Sequence, residues 1–423
     1  MNRLILLVFI LINFLTLSKA QPTDTIKINL SEAEKLFVDS NLMLLAQKYD
    51  IDEKTALITQ ARIWDLPNLS FQQGAYQTEI KKWFVGASGT QGEASAQLQQ
   101  LIVIAGKRNK QVAMAKENKE VSTGQFYDLL RTLKFQLRSD FYNLNFTYQT
   151  LNTYNLEIAM IGAVIDKYEK LYSEGLVSLK DVVRIKSLLL TLKSEQLDLQ
   201  KNIAETQNEL KVFLKLRTTK LVFPVGNFEV DTTFTEKLML STLIDTALIC
   251  RPDLEAAMHQ TKYSEFDLSY QKRLAIPDVE LIAGWDHTGS YITNYNYAGI
   301  AIDLPLWNRN KGNIRAAQAR LGSSKANYEN LSLTITGDVE ESYRKALDTY
   351  KVYRSFNHKF LREFSKLMDG ANDSFSKHEL SLMEFVDLYE SFKDSQSQYN
   401  ELLYNCLMSK EGINYAIGKE IVK

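Results

Sequence analysis

Apolar residues in the last quarter of the chain recur three or four positions apart over a long stretch. Ile314, Ala317, Leu321, Tyr328, Leu331, Ile335, Val339, Tyr343, Ala346, Tyr350 and Tyr353 lead on to Phe360, Phe364 and Leu367. The same period runs from Phe126, Leu129, Leu133, Leu137, Phe141, Leu144, Tyr148 and Leu151 through Ile158, Ile165, Tyr168 and Tyr172. Such a seam predicts helices over about 107–172 and 311–374. At 1.5 Å per residue each would be on the order of 100 Å long, far beyond an ordinary globular helix. Both lie in intervals free of proline, between Pro67 and Pro224 and after Pro305, as helix interiors require. "YSEGLVSLKDV" (172–182) breaks the first helix, with Gly175 suited to a left-handed cap and Ser178 to an N-cap. "FSKHELSLMEF" (375–385) breaks the second. Returning helices over about 178–216 and 380–417 complete two antiparallel hairpins.

Elsewhere the period is two. Val279, Leu281, Ala283 and Trp285 alternate with Glu280, Gly284 and Asp286, and Ala298, Ile300 and Ile302 with Tyr297, Gly299 and Ala301. Ala94, Ala96 and Leu98 alternate with Glu93, Ser95 and Gln97, and a weaker run near Leu69 and Phe71 is spoiled by Gln73. These patterns predict strands over about 68–78, 93–103, 278–288 and 295–305, close to the length of a tilted transmembrane strand. The two halves also match each other. Pro67 aligns with Pro277, Lys107 with Lys311 and Ser178 with Ser381, the pattern of an internal duplication. The expected organisation is a first repeat over 21–220 and a second over 221–423. Four strands cannot close a barrel, and an open edge in lipid leaves backbone groups unpaired. Three copies would supply twelve strands, an allowed even number. A small soluble sheet capping a helical bundle satisfies the same alternation, so the strands alone leave both readings open.

The ends and composition narrow the setting. Arg3, the apolar run Leu4–Leu17 and Ser18-Lys19-Ala20 form a secretory signal over 1–20, with the mature chain expected from about Gln21. A membrane anchor is the alternative. No cysteine follows the cleavage site, so no lipid anchor is expected there. Net charge is −1 among 423 residues, which gives no basic balance toward nucleic acid. Length alone would suit two or three domains. Cys250 and Cys406 are too few for a disulfide framework and read as two buried free thiols. His259, His287, His358 and His378 show no ligand spacing, and there is no phosphate-binding glycine loop or nucleophile elbow. The chain is expected to be no enzyme and to hold neither a metal nor a cofactor.

Taken in order, these elements resemble TolC-like outer-membrane efflux proteins over essentially the whole mature chain. The resemblance rests on Pro305-Leu306-Trp307-Asn308-Arg309-Asn310-Lys311-Gly312, a strand end before a polar turn, and on Tyr172-Ser173-Glu174-Gly175-Leu176-Val177-Ser178, a helix break. The wording around Trp307 leans toward the heavy-metal-cation branch. The resemblance implies an α+β membrane fold, in which long antiparallel helical hairpins form an α-barrel tunnel in the periplasm. Four β-strands per protomer then contribute to a trimeric 12-stranded β-barrel in the outer membrane, with an equatorial segment over about 222–250. It implies as partners a homotrimer, outer-membrane lipid, a periplasmic adaptor and an inner-membrane pump of the resistance–nodulation–division type. Type I protein secretion is a rival within transport, and a periplasmic coiled coil without a pore is a rival outside it. The adaptor would grip Gly175, Leu176, Val177, Ser178, Leu380, Ser381 and Leu382. Asp181, Glu384 and Asp387 would ring the periplasmic aperture, although acids at a helix start also favour the helix dipole. Phe375, His378 and Leu380 stand where relatives carry a gating Tyr, Gly and Arg. This predicts a mouth closed by apolar packing and acid rings rather than by a salt bridge.

Overall fold

A computed structural model describes residues 24–86, 92–217, 219–226, 228–231, 233–287, 292, 294–307, 309–356, 359–377 and 379–421. The signal segment expected over 1–20, His358 and His378 lie outside them. The chain divides into two compact units. One is built from residues up to 45, 129–250 and 335 onward, and the other from 46–128 and 251–334.

The second unit holds the sheet. Strands β2 (Asn68–Gln73), β5 (Ala94–Ile102), β7 (Val279–His287) and β8 (Tyr295–Ile302) pair antiparallel in the order β2-β5-β7-β8. Each hairpin comes from one half of the chain, and the β5–β7 seam joins them from Ala94↔His287 to Ile102↔Val279. Register sorts the side chains by face. Leu69↔Leu98↔Ala283↔Ala298 and Phe71↔Ala96↔Trp285 fall on one side, while Ser70↔Gln97↔Gly284↔Tyr297 falls on the other. Thus one face is largely apolar, with Gln100 and Asn296 among the exceptions, and the other largely polar or small apart from Leu101 and Ile282, the alternation of a barrel wall. Leu69, Phe71, Leu98, Leu281, Ile300 and Ile302 on the apolar face are all exposed. Gly284 has a steric reason: a Cβ there would lie 2.4 Å from the ring of Tyr297 directly opposite. Among the described residues β2 and β8 each pair on one side only.

The strand expected over 68–78 ends at Gln73. Beyond it β3 (Tyr76–Gln77) turns back on β4 (Lys82–Trp83), where Tyr76 and Trp83 set their rings 5.0 Å apart. That local aromatic pair captures the backbone that would otherwise continue along β5. The same unit includes most of α2 (Leu42–Arg62), all of α6 (Pro252–Arg273), and the first turns of α3 (Lys107–Ser173) and α7 (Lys311–Ser355). Buried Lys107 fastens the start of α3 through Asp278 at 2.8 Å and the Ile276 carbonyl at 2.6 Å.

In the first unit, β1 (Asp24–Ile28) pairs parallel with β6 (Lys220–Pro224). Helices α1 (Leu30–Ser40), α4 (Leu179–Phe213), α5 (Leu240–Cys250), α8 (Phe360–Ser376) and α9 (Leu382–Ile417) join the remainder of α3 and α7. The helix expected without interruption over 311–374 is two helices, α7 and α8. Ser355 Oγ donates to the Val352 carbonyl at 2.7 Å and the Phe356 N–H bonds the Tyr353 carbonyl at 3.3 Å. The α-helical ladder therefore gives way to tighter local bonds at this point. Phe356 meets Phe360 and Tyr399 across the break, which keeps the apolar seam continuous. Cys250 and Cys406 are free thiols; Cys406 is buried, which pushes it up to about 12, while Cys250 is only half-buried.

Candidate functional site: the helical tips

The first tip follows from its two caps. Helix α3 ends where Gly175 adopts φ +74°, a conformation that glycine reaches without steric cost. The Leu176 N–H then bonds the Leu171 carbonyl and the Gly175 N–H the Tyr172 carbonyl, each at 2.9 Å, closing the orphan carbonyls of the helix. Ser178 opens α4: its hydroxyl accepts the Asp181 N–H at 3.2 Å and donates to the Asp181 carboxylate at 2.6 Å. Leu176 and Leu179 stand exposed beside this turn, and Val177 is half-buried.

The second tip uses a different closure. Ser381 and Glu384 form a reciprocal capping box at the start of α9. Glu384 Oε2 accepts the Ser381 N–H at 3.0 Å and its hydroxyl at 2.6 Å, while the Ser381 hydroxyl accepts the Glu384 N–H at 3.3 Å. Hydrogen bonds from the Ser381 hydroxyl and backbone hold the Glu384 carboxyl below its ordinary range. Asp181 and Glu384 are therefore equivalent third residues of their helices, both tied into caps. Asp387 lies one turn further on, exposed, with no hydrogen bond or ion pair among the described residues. Leu380 and Leu382 are half-buried and pack against the core beneath.

That core is aromatic. Phe375 stacks on Phe385 at 4.1 Å and on Tyr168 at 5.9 Å with parallel rings, and Phe385 meets Tyr389 at 4.6 Å. Ile161, Ile165, Ile185, Leu188, Leu192 and Met368 complete it. Burial, reinforced by the charge of Asp181, pushes the Tyr168 phenol upward. Phe375 is thus a central ring of the packed tip. A groove of about 570 Å³ opens beside it, with a floor of Met160, Val164, Tyr168, Leu171, Phe375 and Phe385 and a charged margin of Lys167, Lys170 and Glu174.

Charged residues in this core escaped the sequence reading. Lys393 is buried, bonds Glu195 at 2.8 Å, and sets its ammonium 5.6 Å from the Tyr154 ring centroid. Glu157 is buried nearby with Oε1 unpartnered, and desolvation pushes its carboxyl up to about 8 against the pull of Lys393. The signal was present: Lys393 falls four residues after Tyr389 and eight after Phe385, and Glu157 falls between Tyr154 and Ile161. Both interrupt apolar seams with a charge. The histidines that can be placed are packed, His259 against Glu117 at 2.7 Å and His287 against Asn294 at 3.1 Å. Among the described residues no group of His, Cys, Asp and Glu could hold a metal.

The profile of the family "Outer membrane efflux protein" matches residues 36–214 and 243–352, more than half of the chain. The chain belongs to this family. It is an outer-membrane protein and not an enzyme. Among curated relatives, outer membrane protein TolC of Escherichia coli is 28% identical over 210 residues, covering 47% of this chain and 41% of TolC. The probable outer membrane lipoprotein SilC of Salmonella typhimurium is 21% identical over 180 residues, covering 40% of this chain and 39% of SilC. The chain thus spans about two fifths of the length of the curated relatives it matches. The crystal structure of CusC, whose subject is folding and transmembrane channel formation, is 14% identical with a TM-score of 0.71, covering 95% of this chain and 96% of CusC. The fold expected from the sequence, long antiparallel helices with a four-stranded barrel segment, is the fold observed.

Proposed function

We propose that the protein is the passive outer-membrane exit duct of a tripartite efflux system, closed by three copies of the chain. The observation that carries this reading is the sheet: its apolar face is bare and its two outer strands have unpaired edges. In hydrocarbon each unpaired backbone group costs several kcal/mol. Three copies joined edge to edge remove every edge and make a wall of twelve strands, apolar outside and polar within. The two repeats, each a strand hairpin followed by a helical hairpin, supply the wall and the duct together. A periplasmic adaptor would dock on the turn from Gly175 to Ser178 and on Leu380, Ser381 and Leu382, where apolar side chains sit beside a groove with an apolar floor and charged margin. An inner-membrane pump of the resistance–nodulation–division type would supply the energy. The Pro305–Gly312 stretch favours metal cations as cargo, with small toxic compounds as the wider class.

At the mouth, three-fold symmetry would turn each exposed acid into a ring that attracts cations. The caps already occupy the carboxylates of Asp181 and Glu384, so Asp387 is the acid most available to the passing ion. Replacing Glu384 and Asp387 together by alanine should lower single-channel cation selectivity in planar bilayers, with Asp387→Ala alone giving most of the loss. The assembly itself is tested by fractionation. The protein should travel with outer membranes as a heat-modifiable oligomer, and its deletion should sensitise the native host to metals or small toxic compounds. A soluble monomer with an unaltered fold would overturn the proposal.

A further inference from the structure

We propose that the helix-side rim of the sheet carries a binding site for the anionic phosphodiester headgroup of a phospholipid. The site is made by Arg62, Arg108 and Lys116, with Trp64 and Leu66 receiving the start of an acyl chain. This inference rests on the reading of the sheet as part of a transmembrane wall.

Two cavities adjoin at this rim and share Arg108. One, of about 390 Å³, is lined by Arg62, Arg108, Asn109, Val112 and Lys116 and holds no carboxylate. The other, of about 720 Å³, sets Leu57, Ile63, Trp64, Leu66 and Val103 beside Gln60 and Gln111. Arg108 links them, its guanidinium carbon 3.6 Å from the centroid of the Trp64 ring. None of the three cations pairs with a carboxylate among the described residues. Asp65, which lines the larger cavity, lies beyond ion-pair distance of Arg108 and turns its backbone carbonyl to Gln100 at 2.9 Å.

Position makes the charge informative. Val103 directly follows the last residue of β5, and Leu66 stands two residues before the first of β2. The cavities therefore begin where the apolar face ends, the level at which a bilayer passes from hydrocarbon to headgroup. Tryptophan favours that boundary, and arginine and lysine beside it gain about fivefold in affinity for anionic lipid per charge. The first turn of α3 contains Lys107, Arg108 and Lys110 and no acid, against the preference of a helix start for negative charge. Lys107 is answered by Asp278 and Lys110 lies over the Phe266 ring, whereas neither helix stability nor a carboxylate accounts for Arg108. An anion beside it would.

The test uses full-length protein in neutral detergent, titrated with phosphatidylglycerol, phosphatidylcholine and inorganic phosphate, with bound lipid counted by native mass spectrometry. The wild type should retain phosphatidylglycerol over phosphatidylcholine. Arg62→Gln, Arg108→Gln and Lys116→Gln combined should lose that preference, by about fivefold for each charge removed. Arg108→Lys, which keeps the charge and loses the flat stack on Trp64, should lose part of it. A control with Lys201→Gln, Lys345→Gln and Lys351→Gln should keep it. Equal retention of the two lipids by the wild type, or an unchanged preference in the triple variant, overturns the site. Displacement of phosphatidylglycerol by inorganic phosphate at equal concentration overturns the lipid assignment. Heat-modifiable migration is scored on the same samples. Its absence from the wild type sinks the transmembrane reading and the site with it, whereas its presence with no lipid preference sinks the site alone.

Discussion

In the four-stranded sheet Leu69, Phe71, Ile300 and Ile302 stand 74, 66, 68 and 48% exposed, whereas at the helical tip Ile161, Ile185 and Phe385 each keep 1%. Both regions are built from similar apolar side chains in strict periodic order. The tip folds its seam onto itself, because helices α3, α4, α8 and α9 each present a stripe to the others. The sheet is two hairpins with one largely apolar side, and nothing among the described residues covers it. One region is complete in a single molecule. The other is a fragment of a larger surface, so a change in the sheet should be read out in assembly and a change in the tip in local stability.

The largest effect that would sharpen this contrast is expected from Leu69→Lys in the middle row of the bare face, opposite Leu98. A lysine facing lipid near the midplane costs about 2–4 kcal/mol in each copy. The heat-modifiable oligomer should disappear from membranes while helical circular dichroism is retained; an intact oligomer would break the contrast. Phe385→Ala should do the reverse. Removing a fully buried aromatic costs about 3–5 kcal/mol, so amide exchange in α4 and α9 should accelerate strongly while the oligomer persists.

A smaller effect should follow pH. The Glu157 carboxyl lies at about 8 in the folded chain against 4.5 for an ordinary glutamate, so between those values the native state binds more protons than the unfolded one. Stability contributed by neutral Glu157 is full below about 4.5 and is lost as pH rises through about 8. Its melting temperature should therefore decline from pH 5 to pH 8.5, and Glu157→Gln should flatten that decline. Lys393, Glu195, Asp394 and Tyr154 face this group, so a double variant with Lys393→Met should not be additive. The smallest expected change is Ser381→Ala, which removes one capping partner at a cost of about 1 kcal/mol. It should loosen only the first turn of α9 in hydrogen exchange and let the Glu384 carboxyl titrate nearer its ordinary range.

Much of the fold is legible in the sequence because the two periods are clean. The seam from Phe126 to Tyr172 and the alternation from Val279 to Trp285 each fix an element and its inward face. Where legibility fails, the pattern is silent for a reason. Tyr353, Phe360 and Phe364 keep their spacing across the break between α7 and α8, so the apolar stripe carries no trace of it. Helices α1 and α2 went unassigned because Leu42, Met43, Leu45, Tyr49 and Leu57 on α2 remain exposed and draw no continuous buried seam. At the tips, Gly175 and Ser178 announced their caps through residue type, and Ser381 entered only through its alignment with Ser178. The Ser-x-x-Glu spacing of Ser381 and Glu384 already carries the reciprocal box, while the hydroxyl-to-carboxylate bond from Ser178 to Asp181 depends on rotamers that spacing does not record.

The seam between β5 and β7 has a consequence for how such a wall is counted. Because the chain itself stitches the first hairpin to the second through nine residue pairs, each molecule arrives with its middle joint already made. To enclose the proposed circumference of twelve strands, a chain carrying a single hairpin would need six copies, all alike, and six seams between them. Fusing two halves cuts the encounters to three and frees the halves to diverge, as a left-handed glycine on one tip and a reciprocal serine–glutamate clasp on the other already show.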